Sequence, residues 1–203
     1  MIPALVLAAG QSSRMGRPKA LLATGPDEET FVSRLSGSLL DGGAADVLVV
    51  GRPDDDALAA EVRRLADAGR AVRLVLNPHA DRGQLSSVVA GVNAADRPGV
   101  TGILLMPVDA PRVRAATVRT LLDAFAAHRD TIVRAVFAGR HGHPVIFARR
   151  YFDELRRADP AAGARAVVRA HPDAVLNVDT DDPGVVDDID GPDEYARVFS
   201  AGN

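Results

Sequence analysis

Ten residues near the N-terminus concentrate the groups that a phosphate would meet. Gly10-Gln11-Ser12-Ser13-Arg14-Met15-Gly16-Arg17-Pro18-Lys19 offers two glycines, two serines, two arginines and a lysine. Glycine lets the backbone approach an anion closely, and successive exposed N–H groups form a nest for it. The lysine stands out because the chain holds 24 basic residues, of which 23 are Arg and one is Lys19. Its ammonium is a compact point charge that can reach a phosphate where a planar guanidinium would not fit. The spacing matches neither G-x-x-x-x-G-K-[ST], because Arg17 and Pro18 separate Gly16 from Lys19, nor G-x-G-x-x-G. From its residues alone the loop is either a phosphate cradle or an ordinary glycine-containing turn with solvated basic side chains.

Asp109 closes the apolar run Ile103-Leu104-Leu105-Met106 and precedes Ala110-Pro111. A carboxylate at a strand's carboxyl edge can hold Mg²⁺ against nucleotide phosphates, although a helix N-cap or turn aspartate reads the same way. Eight acids crowd Asp179–Glu194, among them Asp188 and Asp190, and a run of that density reads mostly as solvated surface. Asn77 and the stretch Gly83-Gln84-Leu85-Ser86-Ser87 are small polar residues suited to a base edge, or to a strand-end turn and an N-cap. His141 and His143 flank Gly142 without any cysteine nearby, so they read as loop or substrate-facing residues rather than zinc ligands.

Strands and helices must position these groups. The run Met1–Gly10 has no basic segment before it and is too short to span a bilayer, so it reads as a buried strand and the expected compartment is the cytoplasm. Similar runs recur at Ala45–Gly51, Val72–Asn77, Gly102–Val108, Thr131–Ala138 and Pro144–Ala148. Parallel strands covered on both faces are continuously apolar in this manner. Between them Leu58, Val62 and Leu65 share a helical face, as do Val88, Val89 and Val92, and Val118, Leu121, Leu122 and Phe125. The alternation predicts a single α/β domain over residues 1–203 with a mostly parallel sheet. After Arg140 it loosens towards a hairpin-like insertion and two short helices around Tyr151–Arg157 and Ala161–Ala170. In such sheets ligands bind beyond the carboxyl ends of the strands.

Composition excludes several partners. Basic minus acidic residues is 24 − 27 = −3, so no net positive field favours nucleic acid or an anionic membrane. Six Phe, two Tyr and no Trp make a poor base-stacking platform, and the absence of Cys removes disulfides and thiolate chemistry.

The stretch Leu7-Ala8-Ala9-Gly10-x-Ser12-x-Arg14-Met15-Gly16-x-Pro18-Lys19 resembles the signature of the MobA-like nucleotidyltransferases, most closely the molybdenum cofactor cytidylyltransferase group. The likeness continues through Asn77-Pro78, Gly83 and Ser86-Ser87, then Pro107-Val108-Asp109-Ala110-Pro111, Gly142-His143-Pro144-Val145 and Asp188-Ile189-Asp190-Gly191-Pro192-Asp193. The resemblance implies a three-layer, Rossmann-like (GT-A-like) fold. It implies an enzyme that moves a nucleoside monophosphate from an NTP to a phosphorylated small molecule and releases pyrophosphate, with molybdopterin or molybdenum cofactor as the acceptor and a molybdoenzyme-maturation partner.

By the same resemblance, Lys19, Arg14 and Asp109 are catalytic, and Asp109 and Asp190 hold Mg²⁺, with Asp188 as the alternative second ligand. Ala8, Ala9, Gly10, Gln11, Ser12, Ser13, Arg14, Met15, Gly16, Lys19, Asn77, Gly83, Ser86 and Ser87 would bind the nucleotide. His143 and Arg165 would meet the acceptor. Guanylyl-transferring relatives tend to carry Leu-Ala-Gly-Gly where this chain has Leu7-Ala8-Ala9-Gly10, which inclines the nucleotide towards CTP rather than GTP. Gly191 stands where the family has Thr, and Asp159–Arg165 resembles a family Gly-Asp-x-Gly-Ala-Arg element with altered spacing. Two other expectations remain open: transfer to a sugar- or alditol-phosphate, and a non-catalytic nucleotide-binding protein of cofactor maturation.

Overall fold

The apolar run at the N-terminus becomes the middle of a sheet. In a computed structural model, which describes residues 1–10, 15–25 and 29–199, β1 spans Ala4–Leu7 with every residue buried. It pairs in parallel with β2 (Val47–Gly51) on one side and β4 (Gly102–Pro107) on the other, with Val6 opposite both Val49 and Met106. Both neighbours are buried almost throughout, as their unbroken apolar sequences require.

The sheet has seven strands in the order β3-β2-β1-β4-β6-β5-β7, with β3 at Val72–Leu76, β5 at Ile132–Phe137, β6 at Arg140–Ala148 and β7 at Val175–Asp179. Strand β6 runs antiparallel between β4 and β5, and the other pairings are parallel. Ala138 and Gly139 both take positive φ, 49° and 75°, which closes the β5–β6 hairpin in the sense that matches strand twist. The sequence places His141 and His143 in a loop before a strand at Pro144. The strand instead begins at Arg140, because the hairpin register pairs Phe137 with Arg140 and Val136 with His141.

Helices cover the sheet on two faces. Helix α1 (Phe31–Asp41) packs against α4 (Ala115–Ala127), with α2 (Asp56–Asp67) beside β3; α3 (Gln84–Ala95) packs on β1 and β2 and meets α5 (Phe152–Arg157). Leu58, Val62 and Leu65 of α2 and Val118, Leu121 and Phe125 of α4 are buried as their spacing predicts. Helices α6 (Arg165–Ala170) and α7 (Pro192–Phe199) lie either side of β7 in the sequence, and Tyr195 and Phe199 of α7 pack their rings at a tilt against Phe31 of α1.

From β1 the chain winds outward to β2 and β3, then returns to β4 on the other side of β1. The carboxyl ends of β1 and β4 therefore form the topological switch point, where an open α/β sheet leaves a crevice for ligands.

Candidate active site

Three segments meet at that crevice. The chain leaves β1 at Ala8, whose N–H donates to the Val50 carbonyl, and leaves β4 at Val108, whose N–H donates to the Leu7 carbonyl. Asp109 follows at once. Its own carbonyl accepts from Ile189 N–H at 2.8 Å, which fastens the segment 188–190 beside it. Ile189 is buried and anchors that segment, leaving Asp190 at the mouth of the crevice.

Gly16 turns the glycine loop at φ 68°, and Lys19 opens a short 3₁₀ turn that ends at Leu21. From there Nζ of Lys19 donates to Asp190 Oδ1 at 2.7 Å and to Asp109 Oδ2 at 3.3 Å. The ammonium is mostly enclosed, with its side chain 12% exposed, while Asp109 and Asp190 are 27% and 53% exposed. One cation thus stands between two carboxylates that face a common point.

A cavity of about 530 Å³ opens over this group. Ala8, Ala9, Gly10, Lys19, Gly83, Ser87, Asp109 and Asp190 line it, all of them predicted from the sequence. Gly83, at φ 94°, is the N-cap of α3 and supplies no side-chain cap; Ser86 N–H turns back to the Gly83 carbonyl at 3.1 Å, and no capping side chain competes with an anion for the N–H groups of Gln84 and Leu85. Gln84, in the first turn, lines the cavity too and was not singled out by sequence.

Asn77 and Ser86 lie elsewhere than expected. They line a neighbouring cavity of about 340 Å³. Asn77 is 2% exposed and its amide is spent inside the protein, Nδ2 donating to Ser86 and Ser87 at 2.8 and 2.9 Å and Oδ1 accepting from His79 N–H at 2.9 Å. Because both serine oxygens accept from Asn77, each keeps a hydroxyl hydrogen. Ser86 gives its own to the Gly83 carbonyl at 2.8 Å, and Ser87 faces the crevice. Asn77 is therefore a positioning residue in this geometry, holding the start of α3. Met15 joins the hydrophobic core beneath the loop. Gln11, Ser12, Ser13 and Arg14 lie outside the described residues.

His143 and Arg165 occupy a third cavity, of about 400 Å³, bounded by β5, β6 and α6. Arg134, Arg140 and Arg169 join them there, and Asp188 is the single acidic residue of its lining. Burial pushes the His143 imidazole below its ordinary value, and the Arg165 cation adds to this, while Asp109 and the Leu105 backbone oppose it. Its Nδ1 is buried without a hydrogen-bond partner. The Asp188 carboxyl is pushed up, first by burial and then by the negative charges of Asp109 and Asp190. Asp190 rather than Asp188 contacts Lys19 and lines the first cavity, whereas Asp188 lines the third.

Of the acidic run, Asp182 is the residue that sequence misplaced. It is 2% exposed and accepts from Thr117 Oγ1 at 2.6 Å, Arg114 N–H at 2.8 Å and Gly184 N–H at 3.0 Å. It ties the chain after β7 to the start of α4, upstream of Asp188–Asp190.

The donor set fits a hard divalent cation. Asp109 and Asp190 supply two carboxylates to a point held here by the Lys19 ammonium, a stand-in of the same sign. Among the described residues no three His, Cys, Asp or Glu side chains cluster as a metal cage. Mg²⁺ is commonly held in this way, by one or two carboxylates with substrate phosphates completing its shell.

A model of the MobA-like NTP transferase domain matches residues 4–175, which include Lys19, Asp109 and six of the seven strands but not Asp190. The chain belongs to the MobA-like NTP transferase family. Family membership makes it a nucleotidyltransferase, an enzyme of the transferase class. Among its relatives is the purine catabolism protein PucB of Bacillus subtilis (strain 168), 28% identical over 198 residues that cover 96% of this chain and 94% of that one. A probable molybdenum cofactor guanylyltransferase of Opitutus terrae is 35% identical over 129 residues, 64% of this chain and 58% of that protein. The crystal structure of Rv0371c from Mycobacterium tuberculosis H37Rv superposes with a TM-score of 0.77 at 30% identity and 99% coverage of both chains. A crystal structure of Rv0371c in complex with manganese superposes with a TM-score of 0.70 at 29% identity, covering 98% of each chain. Among the described residues of this MobA-like transferase, no helix is long and apolar enough to cross a membrane.

Proposed function

We propose that residues 1–203 act as one catalytic domain that transfers CMP from CTP to the phosphate of molybdopterin or molybdenum cofactor, in the cytoplasm. The observation that carries this reading is the Lys19 ammonium held between Asp109 and Asp190 at the switch point. An acceptor phosphate oxygen attacks the α-phosphorus in line, a new P–O bond forms, and the bond to the β-phosphate oxygen breaks to release pyrophosphate. A phosphate monoester is already ionised near neutral pH, so the protein's work is positioning and charge neutralisation.

Ala8, Ala9, Gly10, Met15 and Gly16 shape the triphosphate cradle together with Gln11, Ser12, Ser13 and Arg14. Lys19 and Arg14 stabilise the departing pyrophosphate. Ser87 and the N-terminus of α3 at Gly83 meet the nucleotide, with Asn77 and Ser86 setting their places. Asp109 and Asp190 would hold Mg²⁺, which supplies Lewis-acid charge to the phosphates when bound. His143 and Arg165 belong to the acceptor side.

The stretch Leu7-Ala8-Ala9-Gly10 supports CTP, because guanylyl-transferring relatives tend to carry Leu-Ala-Gly-Gly there. The likeness to a probable guanylyltransferase favours GTP as the second reading. Pyrophosphate release measured with Mg²⁺, molybdopterin and each of CTP, GTP, UTP and ATP decides between them. CTP-dependent release is expected. Release only with GTP moves the nucleotide, and release only with a sugar- or alditol-phosphate moves the acceptor. Nucleotide binding without any turnover would leave a non-catalytic maturation protein.

A further inference from the structure

The third cavity carries far more positive charge than the crevice over Lys19. Arg134, Arg140, Arg165 and Arg169 line it against the single acid Asp188. Several arginines elsewhere in the chain are held by carboxylates. Arg149 and Arg156 share Asp96 at 2.6 and 2.7 Å, Arg97 pairs with Asp46 at 2.7 Å, and Arg112 with Asp187 at 2.7 Å. Among the described residues Arg140, Arg165 and Arg169 make no ion pair. Arg134 spends Nε and Nη2 on the neutral Asn177 oxygen, at 3.0 and 2.9 Å.

These guanidiniums come from three elements, Arg134 from β5, Arg140 from β6, and Arg165 and Arg169 from one side of α6. Convergence from separate elements onto one concave surface, with one carboxylate to balance four guanidiniums, leaves like-charge repulsion that an anion would relieve. Four guanidiniums against one carboxylate leave a formal excess of three positive charges. A phosphate monoester brings only about −1.5 to −2. The attacking phosphate must also lie towards Asp109 and Lys19, which line the other cavity.

We propose that this cavity binds an anionic group at the far end of the acceptor, a carboxylate or second phosphate distinct from the phosphate that attacks the nucleotide. The acceptor class is then a small molecule with oxyanions at two ends, spanning from the Lys19 crevice to Arg140, Arg165 and Arg169. The proposal rests on the nucleotidyl transfer read above and goes beyond it on the acceptor: molybdopterin, with a single phosphate and no carboxylate, would leave this cavity without its anion, so an acceptor with two anionic ends takes its place. Asp188, which lines the arginine cavity, lies within electrostatic reach of Asp109 and Lys19 of the crevice and of Arg140. It would turn a misplaced anion away.

The test compares three probes that share one phosphate. Glycerol 3-phosphate has no second anion, 3-phosphoglycerate adds a carboxylate, and 1,3-propanediol bisphosphate adds a phosphate. Calorimetric titration of the protein, with and without Mg²⁺ and CTP, should show at least one two-ended probe binding about tenfold tighter than glycerol 3-phosphate, the scale of charged hydrogen bonds gained. That advantage should collapse in Arg165→Gln and in Arg140→Gln. Whichever two-ended probe gains identifies the second anion. Equal binding of all three probes, or an advantage that survives both variants, overturns the proposal. Both arginines are exposed, so unchanged melting temperatures are expected of the variants, and Arg169→Gln provides a third. Absence of any Mg²⁺-nucleotide binding would count against the transferase reading, while the nucleotide-free titrations would still decide the cavity.

Discussion

The Lys19 ammonium lies 2.7 Å from the Asp190 carboxylate across 171 positions of chain. The same nitrogen reaches Asp109 at 3.3 Å, so the chain's one lysine occupies the point at which two carboxylates would hold a divalent cation. Lysine and metal then compete for the same oxygens until nucleotide phosphates arrive to draw the ammonium away. Coulomb attraction at such short range is strong in a partly enclosed site, so the competition has a measurable consequence.

Lys19→Ala should therefore separate two effects. Turnover, read as pyrophosphate release, should fall on the order of 10²–10³, as when one positioned charge is removed from a transition state. Mn²⁺ affinity without nucleotide, read by the paramagnetic signal of the free ion, should rise, because the competing ammonium is gone. Asp109→Asn should lose both turnover and metal. Near-normal turnover in Lys19→Ala would remove the lysine from the chemistry.

The pH dependence of stability should carry the mark of His143. Its folded value lies below the ordinary 6.5, through burial first, so below pH 6.5 the unfolded chain takes up a proton that the folded chain resists. Stability from this group is thus fully present above pH 6.5 and is lost as pH falls through the window down to the folded value. His143→Gln should flatten the acid-side decline in melting temperature relative to the parent chain. Parallel declines in both proteins would show that His143 does not titrate in this way.

Legibility from sequence followed burial. The central strands and the crevice residues Ala8 to Gly10, Lys19 and Asp109 could be read because doubly covered strands are uninterruptedly apolar and the groups after them are the ones a ligand meets. Helix α1 went unread because Ser33, Ser36, Gly37 and Ser38 interrupt its apolar stripe, although Thr30 caps it by accepting from Ser33 N–H. Strand β7 is a half-buried edge with Asn177 and Asp179 exposed, which reads as part of the acidic run. The arginine cavity was legible only at Arg165 and His143. Its other arginines come from β5, β6 and α6, and only the hairpin and the docking of α6 bring them together.

Asp182 offers a test of how the second carboxylate reaches the site. Its side chain gathers Thr117, the Arg114 N–H and the Gly184 N–H in a buried pocket, and Asp182→Ala would strand all three donors. The cost should be about 3 kcal/mol in denaturant unfolding, above an ordinary surface change because a buried charged acceptor is removed. Turnover of the molecules that remain folded should also fall, since Asp190 is carried on the segment this residue anchors. A variant destabilised by less than about 0.5 kcal/mol would mean that the Asp182 cluster does not hold that segment.

Gly142 tests the same joint from the other side. A Cβ there would lie 1.9 Å from the Val185 carbonyl oxygen and 2.6 Å from its carbon, both backbone atoms that no rotamer change can move. Gly142→Ala must push strand β6 and the turn Pro183–Val185 apart, at about 2–3 kcal/mol by the cost of overpacking a buried contact. Val185 and Gly142 both line the arginine cavity, and neither lines the crevice over Lys19. The variant should therefore weaken 3-phosphoglycerate or acceptor binding several-fold while Mg²⁺-nucleotide affinity changes little. Equal losses in both affinities would mean that the two cavities move as one unit, and that the acceptor end cannot be tuned without disturbing the nucleotide.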